Sequence, residues 1–175
     1  MSSTTAPRAL QRLSVTALTL ALLATPVRSP ALEDDQDKPL YLESDSAELD
    51  DAKSISVYTG NVFVKQGSME IRGNQVTVHH DPERKPKHII SVGTPSTYRQ
   101  EMEGEEREVE AEALRMEYDA DKDEITLIDK AVLFQGQDTF RSDRIVYDRT
   151  KGLVKAGASA RGKERVQITI TPSKQ

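Results

Sequence analysis

The chain contains no cysteine and no tryptophan, and its aromatic residues amount to three phenylalanines and five tyrosines. Without cysteine there are no disulfide bonds, so a folded domain must be held together by a continuous hydrophobic core. The lack of tryptophan argues against an aromatic platform for sugars. After residue 31 no segment has the roughly 20 consecutive apolar residues that a membrane-spanning helix needs. The sequence therefore predicts no integral membrane segment after export.

The first 31 residues have the pattern of a cleavable secretory signal peptide. Arg8 and Arg12 precede an apolar run at 13–24, and the small residues at 29–31 suit a cleavage site. The run is too short to serve as a membrane anchor, so we expect an exported, soluble protein. We divide the chain into a signal peptide at 1–31, an acidic linker at 32–38, one β domain at 39–172 and a tail at 173–175.

The balance of charge limits the class of partner. The net charge is −5, and removal of the signal peptide, which carries three arginines and no acidic residue, moves it to −8. Nucleic acid is bound by clustered lysine and arginine, so we expect no nucleic acid partner. Net charge would not hold an anionic ligand to such a chain either.

One short pattern occurs four times, each time as two strand-like arms in succession. The first arms lie at 42–50, 71–78, 109–119 and 140–148. The second arms lie at 55–67, 90–100, 125–136 and, in degenerate form, 153–160. A unit of about 30 residues cannot bury its apolar side alone, so the copies must stack and share a long interior.

The arms have the alternation of β-strands. Apolar residues recur at every second position, as at Val62 and Val64 or Val76 and Val78, which places them on one face of a sheet. Short links within each unit favour antiparallel pairing of two packed sheets. We predict an all-β fold, an elongated antiparallel β-jellyroll or flattened β-solenoid of stacked repeat units that is open at both ends.

Two strand-forming segments lie at the ends of this stack. They lack the prolines and inward charges that usually protect an edge strand, so each can pair with another β protein or another copy. The predicted partner edges consist of Leu40, Tyr41 and Leu42 at the start and Val166, Ile168 and Ile170 at the finish.

The quoted arms also carry a resemblance to a known family. The segments LESDSAELD at 42–50, YTGNVFVKQG at 58–67 and FRSDRIVYD at 140–148 closely resemble the OstA-like family of LptA-type lipopolysaccharide export proteins. The similarity extends from about residue 39 to residue 172. It implies a periplasmic β-jellyroll that carries lipopolysaccharide from the inner to the outer membrane. The resemblance also implies head-to-tail stacking with itself and with the jellyrolls of the inner-membrane component LptC and the outer-membrane component LptD.

The family reading places lipid A acyl chains in the apolar interior, which we expect to be a shallow, open groove. Each methylene removed from water contributes roughly 0.8 kcal/mol, so burial of several chains outweighs repulsion between an acidic surface and an anionic headgroup. Tyr98, Met116 and Tyr118 are the favoured contacts because amphipathic or adaptable side chains suit a variable lipid boundary. The predicted interior-facing, lipid-binding residues are Leu40, Leu42, Val57, Val62, Val64, Ile71, Val76, Val78, Tyr98, Met116, Tyr118, Leu127, Val132, Phe134, Ile145 and Tyr147.

Three alternatives remain open. The chain could be a structural adaptor that joins β proteins by edge pairing and binds no lipid. It could be an LptC-like or LptD-like component of the same system. The third alternative is a polysaccharide-cleaving enzyme that uses Asp143 with Asp148, or Asp45 with Glu48, as acid and base.

We expect no enzymatic activity, no cofactor and no metal site. The segment 119–130 resembles a calcium loop but has Glu124 in place of the required glycine and Lys130 in place of the bidentate glutamate, so a β-turn is expected. His79 and His80, with His88, lack a further ligand at a firm spacing. The chain has no P-loop, so energy for transport must come from other components.

Overall fold

The computed structural model describes residues 38–101 and 108–172. The predicted signal peptide, the linker up to residue 37 and the tail lie outside these residues. The described part contains ten strands and one 3₁₀ turn, Gly157–Ala160. The strands are β1 (Leu40–Glu43), β2 (Ser46–Asp50), β3 (Ile55–Gln66), β4 (Met69–His80), β5 (Pro86–Glu101), β6 (Glu108–Asp119), β7 (Glu124–Gln135), β8 (Asp138–Asp148), β9 (Leu153–Ala156) and β10 (Gln167–Thr169). No helix in the described ranges is long and apolar enough to cross a membrane.

All ten strands belong to one antiparallel sheet. The order is β1-β3-β4-β5-β6-β7-β8-β10, with β2 also paired to β3 and β9 also paired to β8. The all-β antiparallel prediction is confirmed, and each predicted arm corresponds to strand. The first arm of the first unit is split into β1 and β2. The degenerate last arm is reduced to β9 and the 3₁₀ turn.

The sheet bends where the register of its long strands is interrupted. In β3 the interruption contains Gly60 and Asn61, with φ of 83° and 46°, and in β7 it contains Asp129 and Lys130, with φ of 60° and 54°. Two successive left-handed residues change the direction of a strand sharply. Register shifts at the middle of β4, β5, β6 and β8 continue the bend across the sheet.

The bend divides the sheet into two layers that face each other. The first layer contains β1, β10 and the strand segments 62–66, 69–73, 96–101, 108–113, 131–135 and 138–142. The second layer contains β2, β9 and the segments 55–59, 75–80, 86–92, 115–119, 124–128 and 144–148. The two layers are therefore halves of one continuous sheet, and not the two separate sheets of the sequence prediction.

The polar residues that recur at the ends of the first arms form the turns of the second layer. In three of these turns an aspartate accepts a hydrogen bond from the backbone N–H of a lysine three residues later. The distances are 3.0 Å from Lys53 to Asp50, 3.2 Å from Lys122 to Asp119 and 3.0 Å from Lys151 to Asp148. The segment 119–130, which resembles a calcium loop, thus begins with one of these turns.

Candidate functional site: the interior between the layers

The two layers bury their inner faces against each other. Aliphatic side chains dominate this interior, and Val64, Val76, Leu127 and Ile145 are fully buried. Residues that pair across neighbouring strands form rows. One row of the second layer contains Tyr58, Val76, Ser91, Met116, Leu127 and Ile145, and the next contains Ser56, Val78, Ile89, Tyr118, Ile125 and Tyr147. The facing row of the first layer contains Leu42, Val64, Ile71, Tyr98, Ala111, Leu133 and Phe140.

Most of the predicted interior residues lie on these inner faces. They are Val62, Val64, Ile71, Val76, Val78, Tyr98, Met116, Tyr118, Leu127, Ile145 and Tyr147, which are buried, and Leu40 and Leu42, which pack against the same core from the edge. The structure places these side chains in the interior. Contact of any of them with lipid stays a prediction.

Three predicted residues lie on the outer face instead. Val57 pairs with Thr77, and Val132 pairs with Glu112 and Arg141, in rows that alternate with the buried ones. Phe134 is on the same outer face of β7, while its neighbour Leu133 is 1% exposed. The error in β7 has a simple cause. Residues 131–134 are all apolar, so a period of two fits Val132 and Phe134 as well as it fits Ala131 and Leu133.

The prediction omitted several inner-face residues that alternation along the strands could have found. They are Met69, Ile89, Val109, Ala111, Ala113, Ile125, Ala131 and Leu133. Two buried serines were also missed. The hydroxyls of Ser91 and Ser96 are 2.5 Å apart, and Ser96 donates to the carbonyl oxygen of Arg72 at 2.8 Å. Their hydrogen bonds keep polar groups satisfied in an otherwise apolar interior.

The centre of the interior is closed. The cavity lined by Ile71, Tyr98, Met116 and Tyr118, together with Ile89, Ser91 and Ile125, has a volume of about 10 Å³. That is room for about one water molecule and no acyl chain. The shallow, open groove that the sequence predicts is therefore absent from the centre, because side chains of the two layers meet and fill it.

The interior is accessible at the end of the sheet that carries β1 and β2, here called the N-terminal end. A cavity of about 390 Å³ lies there against the inner-face residues Ser56 and Tyr58 of β3, Leu49 of β2 and the turn at 81–84. Leu49 is 61% exposed.

A polar cluster lies where the second-layer turns that follow β6 and β8 approach the inner face. It consists of Tyr98, Tyr118, Asp123, Tyr147 and Arg149, and we call it the mouth cluster. A guanidinium nitrogen of Arg149 (Nη1) is 2.8 Å from Oδ1 of Asp123, which also accepts a hydrogen bond from the Tyr118 hydroxyl at 3.1 Å. The Arg149 side chain is 9% exposed and that of Asp123 is 19% exposed.

The tyrosines of the mouth cluster are uncharged. Burial raises the pKa of Tyr118 to about 12, although Arg149 acts in the opposite direction. Burial likewise raises the pKa of Tyr98 far above its usual range, and Arg149 again opposes the shift. Asp123 was considered only within the calcium-loop-like segment 119–130 and Arg149 not at all, because both lie in turns and no local pattern marks a turn residue as buried.

The acidic residues considered for catalysis have structural partners. Asp143 accepts backbone N–H bonds from Lys163 at 2.6 Å and Glu164 at 3.2 Å, which hold the pKa of its carboxyl below the usual value. The carboxylate of Asp148 is 2.6 Å from the ammonium of Lys151. Asp45 accepts from the side chain of Asn61 at 3.0 Å. The pKa values of the Asp143 and Asp148 carboxyls are lowered, whereas a general acid needs a raised one.

The histidines lie on different faces of the sheet. His79 and His88 are paired across β4 and β5 with ring centroids 5.9 Å apart, whereas His80 contacts the Ser56 hydroxyl at 3.0 Å. In the described ranges no three metal-binding side chains come together.

The two edges of the sheet expose most of the large apolar side chains that the described residues leave exposed. Those at the edges are Tyr41 and Leu49 at the N-terminal end, and Leu153, Val166, Ile168 and Ile170 at the other end, here called the C-terminal end. Only Val92 is elsewhere. The predicted edge residues Tyr41, Val166, Ile168 and Ile170 belong to this set, and Leu40 and Leu42 lie in β1 with their side chains toward the core.

Comparison with known proteins identifies relatives over most of the chain. The family described as LptA/(LptD N-terminal domain) LPS transport protein matches residues 41–153. The lipopolysaccharide export system protein LptH of Pseudomonas aeruginosa is 34% identical over 150 residues, which are 83% of this chain and 86% of LptH. The lipopolysaccharide export system protein LptA of Escherichia coli K12 is 33% identical over 157 residues, 89% of this chain and 83% of that protein.

A solved structure shares the fold. The crystal structure of LptH, described as the LptA-homologous periplasmic component of the lipopolysaccharide transport device of Pseudomonas aeruginosa, superposes with a TM-score of 0.72 at 34% sequence identity. The match covers 79% of this chain and 99% of the LptH chain. The bent single sheet is thus common to both proteins.

Proposed function

Since the chain belongs to the LptA/(LptD N-terminal domain) family of lipopolysaccharide transport proteins, we propose that it is a periplasmic segment of a bridge for lipopolysaccharide. In this role it binds no cofactor and performs no chemistry. Its inner faces shield acyl chains from water while the cargo moves toward the outer membrane. The domain at 39–172 carries the function, and the segment at 1–31 directs export.

The distribution of exposed apolar side chains is the observation that carries this proposal. Among the described residues, all but one of the exposed large apolar side chains lie at the two unpaired edges of the sheet. Each edge also offers backbone groups that a further strand can pair with. A second jellyroll docked there would extend both layers and continue the interior. The edges at Leu40, Tyr41 and Leu42 and at Val166, Ile168 and Ile170 therefore serve copies of this chain and the LptC-like and LptD-like jellyrolls.

The closed centre favours a second candidate, an adaptor that joins jellyrolls and binds no lipid. A cavity of about 10 Å³ excludes an acyl chain unless the layers separate. Separation is feasible because the layers meet through aliphatic side chains, and acyl chains would replace these contacts with contacts of the same kind. The cavity at the N-terminal end provides a starting point for such entry.

A photo-crosslinking amino acid at two adjacent positions of β6 separates the candidates. Tyr118 is on the inner face, and Glu117 is on the outer face of the same strand. If the chain carries lipid, cells that express the Tyr118 variant yield an adduct with lipopolysaccharide and cells that express the Glu117 variant yield none. An adaptor gives no adduct at either position. Equal adducts at both positions would mean surface adsorption and would also refute transport through the interior.

A further inference from the structure

Arg149 of the mouth cluster is a buried cation, and only some of its hydrogen-bond donors have partners in the closed fold. Of the salt bridges between described residues, Arg149 with Asp123 is the one in which both side chains are less than one-fifth exposed. The pair is joined through Nη1 of Arg149, whereas Nε is buried and has no hydrogen-bond partner among the described residues. A guanidinium can donate two parallel hydrogen bonds to one oxyanion. Arg149 thus retains donor capacity at a buried position.

The surroundings of Arg149 would complete an anion site. The guanidinium lies 5.4 Å from the ring centre of Tyr118, whose hydroxyl remains protonated and donates to Asp123 at 3.1 Å. Hydroxyl donors next to a guanidinium are suited to the oxygens of a phosphate group. Asp123 occupies the place of the anion in the closed fold and neutralises the buried charge.

The position of Arg149 fits the headgroup of an amphiphile. The residue lies at the margin where the apolar interior meets solvent, one row from Tyr147 and Ile125 of the inner face. Chains inserted between the layers would leave their polar end at such a margin. Because the chain is acidic overall, net charge cannot attract an anionic headgroup, and a local cation is required.

We propose that Arg149 is the anchor for a phosphate-bearing amphiphile, whose phosphate replaces Asp123 on the guanidinium when its chains enter between the layers. Loss of its partner leaves Asp123 as a buried unpaired charge, which favours separation of the layers at the mouth. This inference rests on the proposed function, because it requires apolar chains in the interior.

The test uses dodecyl phosphate and dodecyl maltoside, which share an apolar chain and differ in headgroup charge, with inorganic phosphate as a third titrant. Isothermal titration calorimetry of the wild-type protein should give tighter binding of dodecyl phosphate than of dodecyl maltoside. Arg149→Met should weaken dodecyl phosphate by at least about tenfold and should not weaken dodecyl maltoside. Arg149→Lys should restore part of the difference, because an ammonium keeps the charge without the paired donors.

Asp123→Asn supplies the decisive arm, since it removes the competing carboxylate and should tighten dodecyl phosphate. If the salt bridge is only structural, we expect the opposite result. Asp123→Asn and Arg149→Met should then weaken the binding of both detergents to the same extent. The control is Arg84→Met, which removes an arginine from an exposed pair with Asp51 and should change no affinity. Circular dichroism verifies that each variant is folded.

The outcomes separate this inference from the proposed function. If both detergents bind equally and Arg149→Met changes neither, the anchor is refuted while the interior remains a lipid site. If neither detergent binds the wild-type protein, binding in the interior fails and the anchor fails with it. Inorganic phosphate should bind far more weakly than dodecyl phosphate. Equal binding of the two would identify a site for free phosphate and overturn the amphiphile proposal.

Discussion

The two ends of the sheet meet the same requirement in different ways. The bent long strand at each end of the sheet pairs with one short strand in each layer. Between these two short strands the chain has to cross from one layer to the other. At the N-terminal end the crossing from β1 to β2 takes two residues, Ser44 and Asp45. At the C-terminal end the crossing from β9 to β10 takes residues 157–166, which include the 3₁₀ turn and the buried Ala160.

An aspartate at an equivalent place of the repeat holds both crossings. Asp45 belongs to LESDSAELD and Asp143 to FRSDRIVYD, at the same position of the pattern. The backbone N–H of Asp45 donates to the carbonyl of Gly60 at 2.9 Å, while the carboxylate of Asp143 accepts from the backbone of residues 163 and 164. The Ser-Asp motif thus contributes a hydrogen-bonded contact at each end of the sheet.

The difference in length determines which end is accessible. A two-residue crossing cannot cover the inner face, and the cavity of about 390 Å³ is found at that end. The longer segment packs on the bend of β8, where a Cβ on Gly162 would come within 2.5 Å of the Asp143 carboxylate. The interior is therefore more accessible at the N-terminal end than at the C-terminal end.

The largest effect on stability is expected at the two-residue crossing from β1 to β2. Gly60→Ala should lower the free energy of unfolding by about 3 kcal/mol, because alanine is strained at φ 83° and its Cβ would lie 2.2 Å from the Asp45 carboxylate. Gly136→Ala is the matched control, with φ of 60° and no atom within 4 Å of the new Cβ, and should cost about 1 kcal/mol. Urea unfolding measures both. Equal losses of unfolding free energy in the two variants would mean that the crossing from β1 to β2 is not tightly packed.

A smaller effect is expected at the covered end. Asp143→Ala removes the acceptor of two backbone N–H groups, so hydrogen exchange at Lys163 and Glu164 should accelerate by roughly tenfold or more while β4 and β5 keep their protection. Asp45→Ala, the equivalent change at the other end, should leave residues 163 and 164 unaffected. Unchanged exchange in Asp143→Ala would show that the segment is held by other contacts.

The smallest effect concerns the turns. Lys151 lowers the pKa of Asp148, so the folded state is stabilised at pH values above the ordinary carboxyl pKa of 3.8, and this stabilisation is lost as the pH falls through the lowered value. Asp148→Asn should reduce the melting temperature by at most about 4 °C at pH 7, and the difference should vanish near pH 2. Asp50→Asn, in the more exposed turn of the first unit, should have less effect at pH 7. A difference that persists in acid would exclude the ion pair as its cause.

The repeat and the alternation were sufficient to predict the strands, the antiparallel order and most of the inner face. Each arm has its own apolar period, so its residues were assigned without tertiary information. The prediction failed where the period vanishes, at Val132 and Phe134 beyond the left-handed pair Asp129 and Lys130. The mouth cluster was not predictable as a unit, since Asp123 and Arg149 come together only when the hairpins pair side by side.

The most direct test is whether the N-terminal end of one copy joins the C-terminal end of another. The chain has no cysteine, so Tyr41→Cys in β1 and Ile168→Cys in β10 each introduce a single thiol on an exposed edge of the first layer. Under mild oxidation a mixture of the two variants should form mixed disulfide dimers in excess of dimers of either variant with itself. Exclusive formation of dimers between identical variants, or no dimers, would contradict a bridge built by joining the N-terminal end of one jellyroll to the C-terminal end of another.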